Sequence, residues 1–320
     1  MTCLTWFALV LSVTAAQQPI EPEIEEQAQQ VRELWVRASE RRAELWNNLR
    51  PGFRDRQKEL PPELSSEEVR FLLELGPDLA PLIVGGVPTG QSHPETVALL
   101  NNDGEVCCSG VFISPRVVLT ARHCLNQCAP VFVSNAQVAS REGAVRVVKH
   151  RSHPKYDGRK HDLMLLLVEK PLAGVTPASL RFAGNERLPG PLRVIGYGLS
   201  EDGGSDQGIK QAVEARLTSA PCRSREDLRR GCFRSIEMIA MEVGKDSCQY
   251  DSGGPAFVAV EPGGWGLVGL VRAGFDGGRC GDGGIYLRLA PKVHMDFIVE
   301  TLELWGESAT NQDPTSSIRF

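Results

Sequence analysis

Lys245 to Pro255 reads KDSCQYDSGGP. Its last five residues set Ser252 in a glycine-rich turn, directly after Asp251. A free serine hydroxyl is a poor nucleophile near neutral pH. It needs a histidine to take its proton and a carboxylate to hold that histidine in the right tautomer. Two other stretches supply those residue types. LTARHCL presents His123 beside Cys124, and KHDLMLLLVEKPL presents Asp162 at the mouth of an apolar strand. Each stretch alone has a bland reading: a structural histidine, a chance His-Asp pair, an ordinary turn. The chain order of the three is His, Asp, Ser.

The surroundings of these stretches are β-rich. GVFISPRVVLT, GAVRVVKH, LMLLLVE, PLRVIGYG, PAFVAVE, WGLVGLVRAG and GGIYLRLA are short apolar runs separated by turn residues. Many short strands of this kind imply a sandwich or a barrel. The texture changes at both ends. PKVHMDFIVETLELW, residues 291–305, is amphipathic with Pro291 in its first turn and predicts a terminal helix. Residues 306–320 read as a disordered tail.

Residues 17–82 are a different kind of object. They hold 14 acidic and 9 basic residues, which accounts for the whole net charge of -5, and residues 83–320 balance to zero. Val31, Leu34, Trp35, Ala38, Leu45, Trp46 and Leu49 recur at steps of three and four, a helical pattern that Pro51 and Gly52 end. Ser65 and Glu68 have capping-box spacing before Phe71-Leu72-Leu73. The segment is either two surface helices of a small module or a pro-segment whose apolar faces dock on the downstream chain. The net charge gives no basic footprint for nucleic acid.

The first 16 residues read as a secretory signal. The apolar run Leu4 to Val13 is too short to span a bilayer, and Ala15 and Ala16 offer a cleavage site. The start carries no Lys or Arg, so a buried strand is the alternative. No later run is long and apolar enough to cross a membrane. Of nine cysteines, Cys3 leaves with the signal and eight remain, an even number that suits an oxidising compartment. No pair has zinc-finger spacing, so a metal site is the weaker reading.

Taken together, IVGG (Ile83 to Gly86), LTARHC (Leu119 to Cys124), HDLMLL (His161 to Leu166), DSGGP (Asp251 to Pro255) and GGIYLRL (Gly283 to Leu289) resemble the trypsin/chymotrypsin-type serine proteases in order and rough spacing. The resemblance covers residues 83–305. It implies an all-β fold of two antiparallel β-barrels, with a linker near 177–191 and a C-terminal helix; the helical segment 17–82, which the resemblance does not cover, precedes it as the expected pro-segment. The resemblance also implies His123 as general base and acid, Asp162 as its orienter and Ser252 as nucleophile. The backbone N–H groups of Tyr250 and Ser252 would form the oxyanion hole. Asp246 would lie at the base of the S1 pocket, with Gly274 and Gly284 as its walls, and pair with a substrate Arg or Lys. The implied bridges are Cys108–Cys124, Cys248–Cys280 and a shifted Cys222–Cys232, which leaves Cys107 and Cys128 as a pair.

The same resemblance implies activation by cleavage at Leu82-Ile83, with the new Ile83 ammonium pairing with Asp251. The expected protein is a secreted, monomeric endopeptidase zymogen acting after Arg or Lys on proteins or peptides. It needs an activating protease and no cofactor, and it binds neither nucleic acid nor membrane. No acidic calcium loop is expected, because the His123 to Asp162 interval is short. The alternative is a catalytically weak, protease-like binding protein.

Three residues depart from the family pattern. Tyr250 stands where relatives carry glycine; its Cβ favours a flipped preceding peptide that would point a carbonyl into the hole until substrate arrives. Arg272 replaces a serine that supports the triad aspartate, and either bears on Asp162 by its charge or points outward. Ala273 replaces a large aromatic, which widens the cleft.

Overall fold

The computed structural model describes residues 87–309 except 90–91, 182–187, 189, 205–206, 243 and 261–262. The signal sequence, the helical pro-segment and the Leu82-Ile83 bond lie outside them.

After the short β1 (Val87–Pro88) comes a closed antiparallel barrel. Its strands run β2 (Thr96–Leu100), β3 (Val106–Ser114), β4 (Val117–Thr120), β7 (Met164–Val168), β6 (Val145–Ser152) and β5 (Phe132–Ser134), and β5 pairs back with β2. The unbroken apolar run at β7 follows from burial on both faces. Met164, Leu166 and Val168 point into the barrel interior, beside Val97, Phe112 and Val133. Leu163, Leu165 and Leu167 point the other way, into a core shared with the second half of the chain. An alternating polar-apolar strand could not serve both.

The second half forms a nine-stranded, barrel-like sheet. Its path is β1, β10 (Gln211–Ala215), β9 (Leu192–Gly196), β13 (Pro255–Ala259), β14 (Trp265–Gly274), β15 (Gly284–Arg288), β12 (Glu237–Ala240) and β11 (Leu217–Ser219). Its ladders are antiparallel except for β8 (Ser179–Leu180), a two-residue strand in the expected linker that pairs with β14 in parallel. Leu192, Val194, Val258, Val271 and Tyr286 fill its interior. The shared core between the halves adds Phe257, Leu270 and Leu287 to the outward face of β7.

Three helices are described. α1 (Cys124–Cys128) and α2 (Arg225–Arg229) are single turns, and α3 (Lys292–Trp305) is the expected terminal helix, with Pro291 one place earlier, at the N-cap. α2 begins with a reciprocal cap between Ser224 and Asp227. α3 buries Phe297, Ile298 and Leu302 in the shared core. Of the expected tail, residues 306–309 are described, and 310–320 lie outside the described residues. Glu307 accepts hydrogen bonds from Ser114 Oγ and Arg116 Nε, each at 2.9 Å, which ties residues 306–309 to the first barrel.

Among the described residues there are four disulfides: Cys107–Cys128, Cys108–Cys124, Cys222–Cys232 and Cys248–Cys280. The first two fasten both ends of α1 to neighbouring residues of β3. Cross-links that close loops in this way restrict the unfolded chain, in the entropic account by about 3 kcal/mol for a loop of some fifteen residues.

Candidate active site

His123 is the N-cap residue of α1, so the two bridges of that helix fix its backbone. Asp162 lies two residues before β7 and is 4% exposed. It holds His123 twice. Its Oδ1 accepts the His123 backbone N–H at 2.8 Å, and its Oδ2 lies 2.6 Å from His123 Nδ1. A carboxylate at Nδ1 requires a proton there, which leaves Nε2 as the basic nitrogen.

Asp162 is itself placed from behind. His153 N donates to Leu163 O at 2.9 Å, and His161 takes a positive φ of 52°. His161 Nδ1 lies 3.0 Å from His294 Nε2 on α3, and His294 Nδ1 lies 2.6 Å from Arg288 O. A carbonyl can only accept, so His294 donates from Nδ1 and accepts from His161 at Nε2. Burial pushes the His294 ring down to about 4, which keeps it neutral in this chain.

Ser252 is half-buried between the two strand systems. Its carbonyl accepts the N–H of Ser109 on β3 at 2.9 Å, and its neighbour Gly253 donates to Val271 O at 2.8 Å. Thr120 Oγ1, Ala121 N and Ser109 O fill the space where a Cβ on Gly253 would lie. That glycine, with φ +80°, is therefore required twice over, by conformation and by close approach. Among the described residues Ser252 Oγ makes no hydrogen bond. Such bonds are often loose without substrate.

The structure corrects the expectation for Tyr250. The peptide before it is not flipped. Gln249 O accepts the Leu199 N–H at 3.0 Å, and Tyr250 O accepts Ser109 Oγ at 3.0 Å. Tyr250 itself adopts φ 73°, the left-handed region that glycine would enter at no cost. Among the described residues the N–H groups of Tyr250 and Ser252 meet no acceptor. Asp251, fully buried, accepts Gly198 N at 2.7 Å and Cys248 N at 2.8 Å.

A cleft of about 770 Å³ opens beside Ser252, lined among others by Tyr250, Ala273, Gly274 and Phe275, with Asp246 in its wall. Asp246 is 1% exposed. Its carboxylate accepts Ser247 N at 2.7 Å and Gly283 N at 3.1 Å, and among the described residues no Lys or Arg pairs with it. Burial raises its pKa to about 6 against the pull of those N–H groups. A Cβ on Gly274 would meet nothing within 4 Å, whereas one on Gly284 would lie 2.8 Å from Asp246 Oδ1. Gly274 leaves the cleft open, and Gly284 makes room for the carboxylate itself.

Arg272 does not point outward. It is 8% exposed, and its Nε lies 2.9 Å from Oε1 of Glu237, which is fully buried. Glu237 escapes a reading of the sequence because no motif surrounds it. Ser109, which braces the turn carrying Ser252, lies in CCSG and carries no signal of its own either. The grouping of Cys108, His123 and Cys124 offers no metal site, since both sulfurs are tied in one disulfide.

The comparisons agree with this geometry. The Trypsin family pattern matches residues 83–295. A trypsin of Saccharopolyspora erythraea is 30% identical over 235 residues, covering 69% of this chain and 98% of the relative. A trypsin of Squalus acanthias is 30% identical over 243 residues, covering 71% and 98%. Transmembrane protease serine 11E of Mus musculus is 27% identical over 226 residues, covering 66% of this chain and 53% of the relative. The chain belongs to the trypsin family, and it is a serine endopeptidase, a hydrolase acting on peptide bonds of protein substrates. Among the described residues no helix is long and apolar enough to cross a membrane.

Proposed function

We propose that the protein is a secreted endopeptidase, made as a zymogen, that cleaves after Arg and Lys through His123, Asp162 and Ser252. Ser252 Oγ attacks the scissile carbonyl carbon as His123 Nε2 takes its proton. The tetrahedral intermediate collapses to an acyl-enzyme as His123 returns that proton to the leaving amine. Water then repeats the sequence and releases the acid. Asp162 keeps Nδ1 protonated and stabilises the imidazolium. Tyr250 N–H and Ser252 N–H, both without an acceptor among the described residues, are suited to the developing oxyanion.

The observation that carries the specificity is Asp246, buried in the cleft wall without a cationic partner among the described residues. An unpaired buried carboxylate is costly. A substrate guanidinium or ammonium removes that cost on binding. A peptide library read for P1 preference tests this reading: Arg and Lys are expected, and a preference for Phe or Leu would overturn it.

Zymogen activation is supported by the Ile83-Val-Gly-Gly start and by Asp251, buried just before the nucleophile. The reading has the protein acting as a monomer, with an activating protease as its partner, and with residues 17–82 as the latency segment. Four disulfides suit an oxidising, extracellular compartment.

A further inference from the structure

β14 changes character at Arg272. Val271 pairs with Tyr286 of β15, but Ala273 pairs with Ile285, so Arg272 is the extra residue of a β-bulge. On one side of it Val271 lines the cleft, and on the other Ala273, Gly274 and Phe275 do. The Arg272 side chain leaves that wall and runs into the protein.

Its guanidinium is held there by three groups within residues 231–237. Glu237 lies on β12, which is on the far side of β15 from β14, so the ion pair spans the intervening strand. Arg272 also donates to Gly231 O at 2.9 Å and stacks its guanidinium 5.4 Å from the centre of the Phe233 ring. Both belong to the segment between Cys222 and Glu237. Glu237 in turn accepts Phe233 N at 2.7 Å, which closes the loop of contacts. The Nε–Oε1 contact is one of charges and is not aligned as a hydrogen bond.

Such a pair is expensive to bury. Desolvation lifts the Glu237 carboxyl to about 7, even though Arg272 and the Phe233 N–H both favour its charged form. Well-packed apolar side chains would fill the same space at less cost, so stability alone does not account for it. What the pair supplies is a fixed direction. It ties the bulge to the stretch 231–237, none of which lines the cleft.

We propose that Arg272 and Glu237 are a positioning pair for substrate, in which the buried carboxylate holds the guanidinium and the guanidinium holds the bulge carrying the Ala273–Phe275 wall. The proposal rests on the proposed active site, since the wall matters only if substrate lies beside Ser252. Single-residue substrates reach the Asp246 pocket and little else; longer peptides must also lie along the wall.

The test uses the full-length protein brought to its active form, with a single-residue ester and a hexapeptide as substrates. Arg272→Lys keeps the charge and loses the fork that reaches both Glu237 and Gly231. It is expected to raise the hexapeptide KM by about threefold or more, with kcat and the ester KM near wild type. Glu237→Gln is expected to do the same. If it does not fold, Arg272→Lys decides alone. The double variant Arg272→Met/Glu237→Leu separates positioning from stability. It is expected to match or exceed the wild-type Tm while the hexapeptide KM stays high. An unchanged ratio of the two KM values in folded Arg272→Lys, or a double variant with wild-type KM, overturns the proposal. Fluorophosphonate labelling, retained in these variants and lost in Ser252→Ala, reports separately on the active-site reading.

Discussion

Leu199 donates its backbone N–H to the carbonyl of Gln249 at 3.0 Å, and that one bond orients the peptide in front of Tyr250. Leu199 belongs to the loop after β9, so the direction of the Tyr250 N–H is set from outside the nucleophile turn. The left-handed φ of Tyr250 costs about 1–2 kcal/mol relative to a relaxed residue. Glycine would remove that strain but lose about 0.5–1 kcal/mol in chain entropy. Tyr250→Gly is therefore expected to change stability by about 1 kcal/mol or less and kcat on small amides by less than about threefold. Steady-state kinetics decide this. A kcat gain near a hundredfold would mean that wild-type Tyr250 leaves the hole unformed.

The proposed pocket predicts a pH-dependent specificity through Asp246. Its carboxyl is raised by burial from 3.8 to about 6, so it is largely neutral below that pH and cannot pair with a guanidinium. KM for an Arg substrate is expected to fall as pH rises through about 6, and KM for a neutral P1 ester is not. Asp246→Ser is expected to lose about 3 kcal/mol of transition-state binding for Arg, more than a hundredfold in kcat/KM. The same shift bears on folding. The folded state holds this proton more tightly than the unfolded chain, so its contribution to stability declines from about pH 4 to 6. Asp246→Asn should accordingly stabilise the free enzyme above pH 6, measured as Tm.

His294 has the opposite sign. Its pKa falls from 6.5 to about 4 on burial, so the unfolded chain takes up a proton in that window that the folded protein refuses. Stability from this group is full above pH 6.5 and is lost as pH drops towards 4. The loss is of the order of 3 kcal/mol. His294→Gln, with no ring to protonate, is expected to show a flatter Tm profile from pH 6.5 to 4. A profile parallel to wild type would remove His294 from the account.

Activation provides a prediction about the chain outside the described residues. In the proposed scheme the bond to be cut is Leu82-Ile83, and a pocket based on Asp246 does not suit leucine. The wild-type precursor incubated alone should not release Ile83, whereas Leu82→Arg should self-activate. N-terminal sequencing over time checks both. Release of Ile83 by the wild type but not by Ser252→Ala would overturn the scheme.

Much of this site is legible in the sequence because short motifs carry it. HDLMLL announces both Asp162 and a strand buried on two faces, and DSGGP needs its glycines for reasons the structure makes explicit at Gly253. What escapes depends on partners distant in sequence. Arg272 reads as a charge that must reach Asp162 or solvent, because Glu237, 35 positions earlier, gives no local sign of being its counterion. The Tyr250 peptide reads as free to flip because the clamp, Leu199, is 51 positions away. Capping at Ser224 and Asp227 is local, yet the single turn it starts lies among loop-like residues. Sequence spacing registers periodic burial and contiguous motifs; it does not register which buried charge will meet which.

Ser109 touches the nucleophile turn three times: its N–H meets Ser252 O, its Oγ meets Tyr250 O, and its carbonyl crowds Gly253. It sits in the first barrel, while the turn belongs to the second. Neither half of the chain, expressed as a fragment, would therefore contain a mould for its own nucleophile. Mixed fragments should regain serine reactivity only as they dock, so that labelling of Ser252 becomes a direct clock for the joining of the two halves, insensitive to how much strand structure each has already formed.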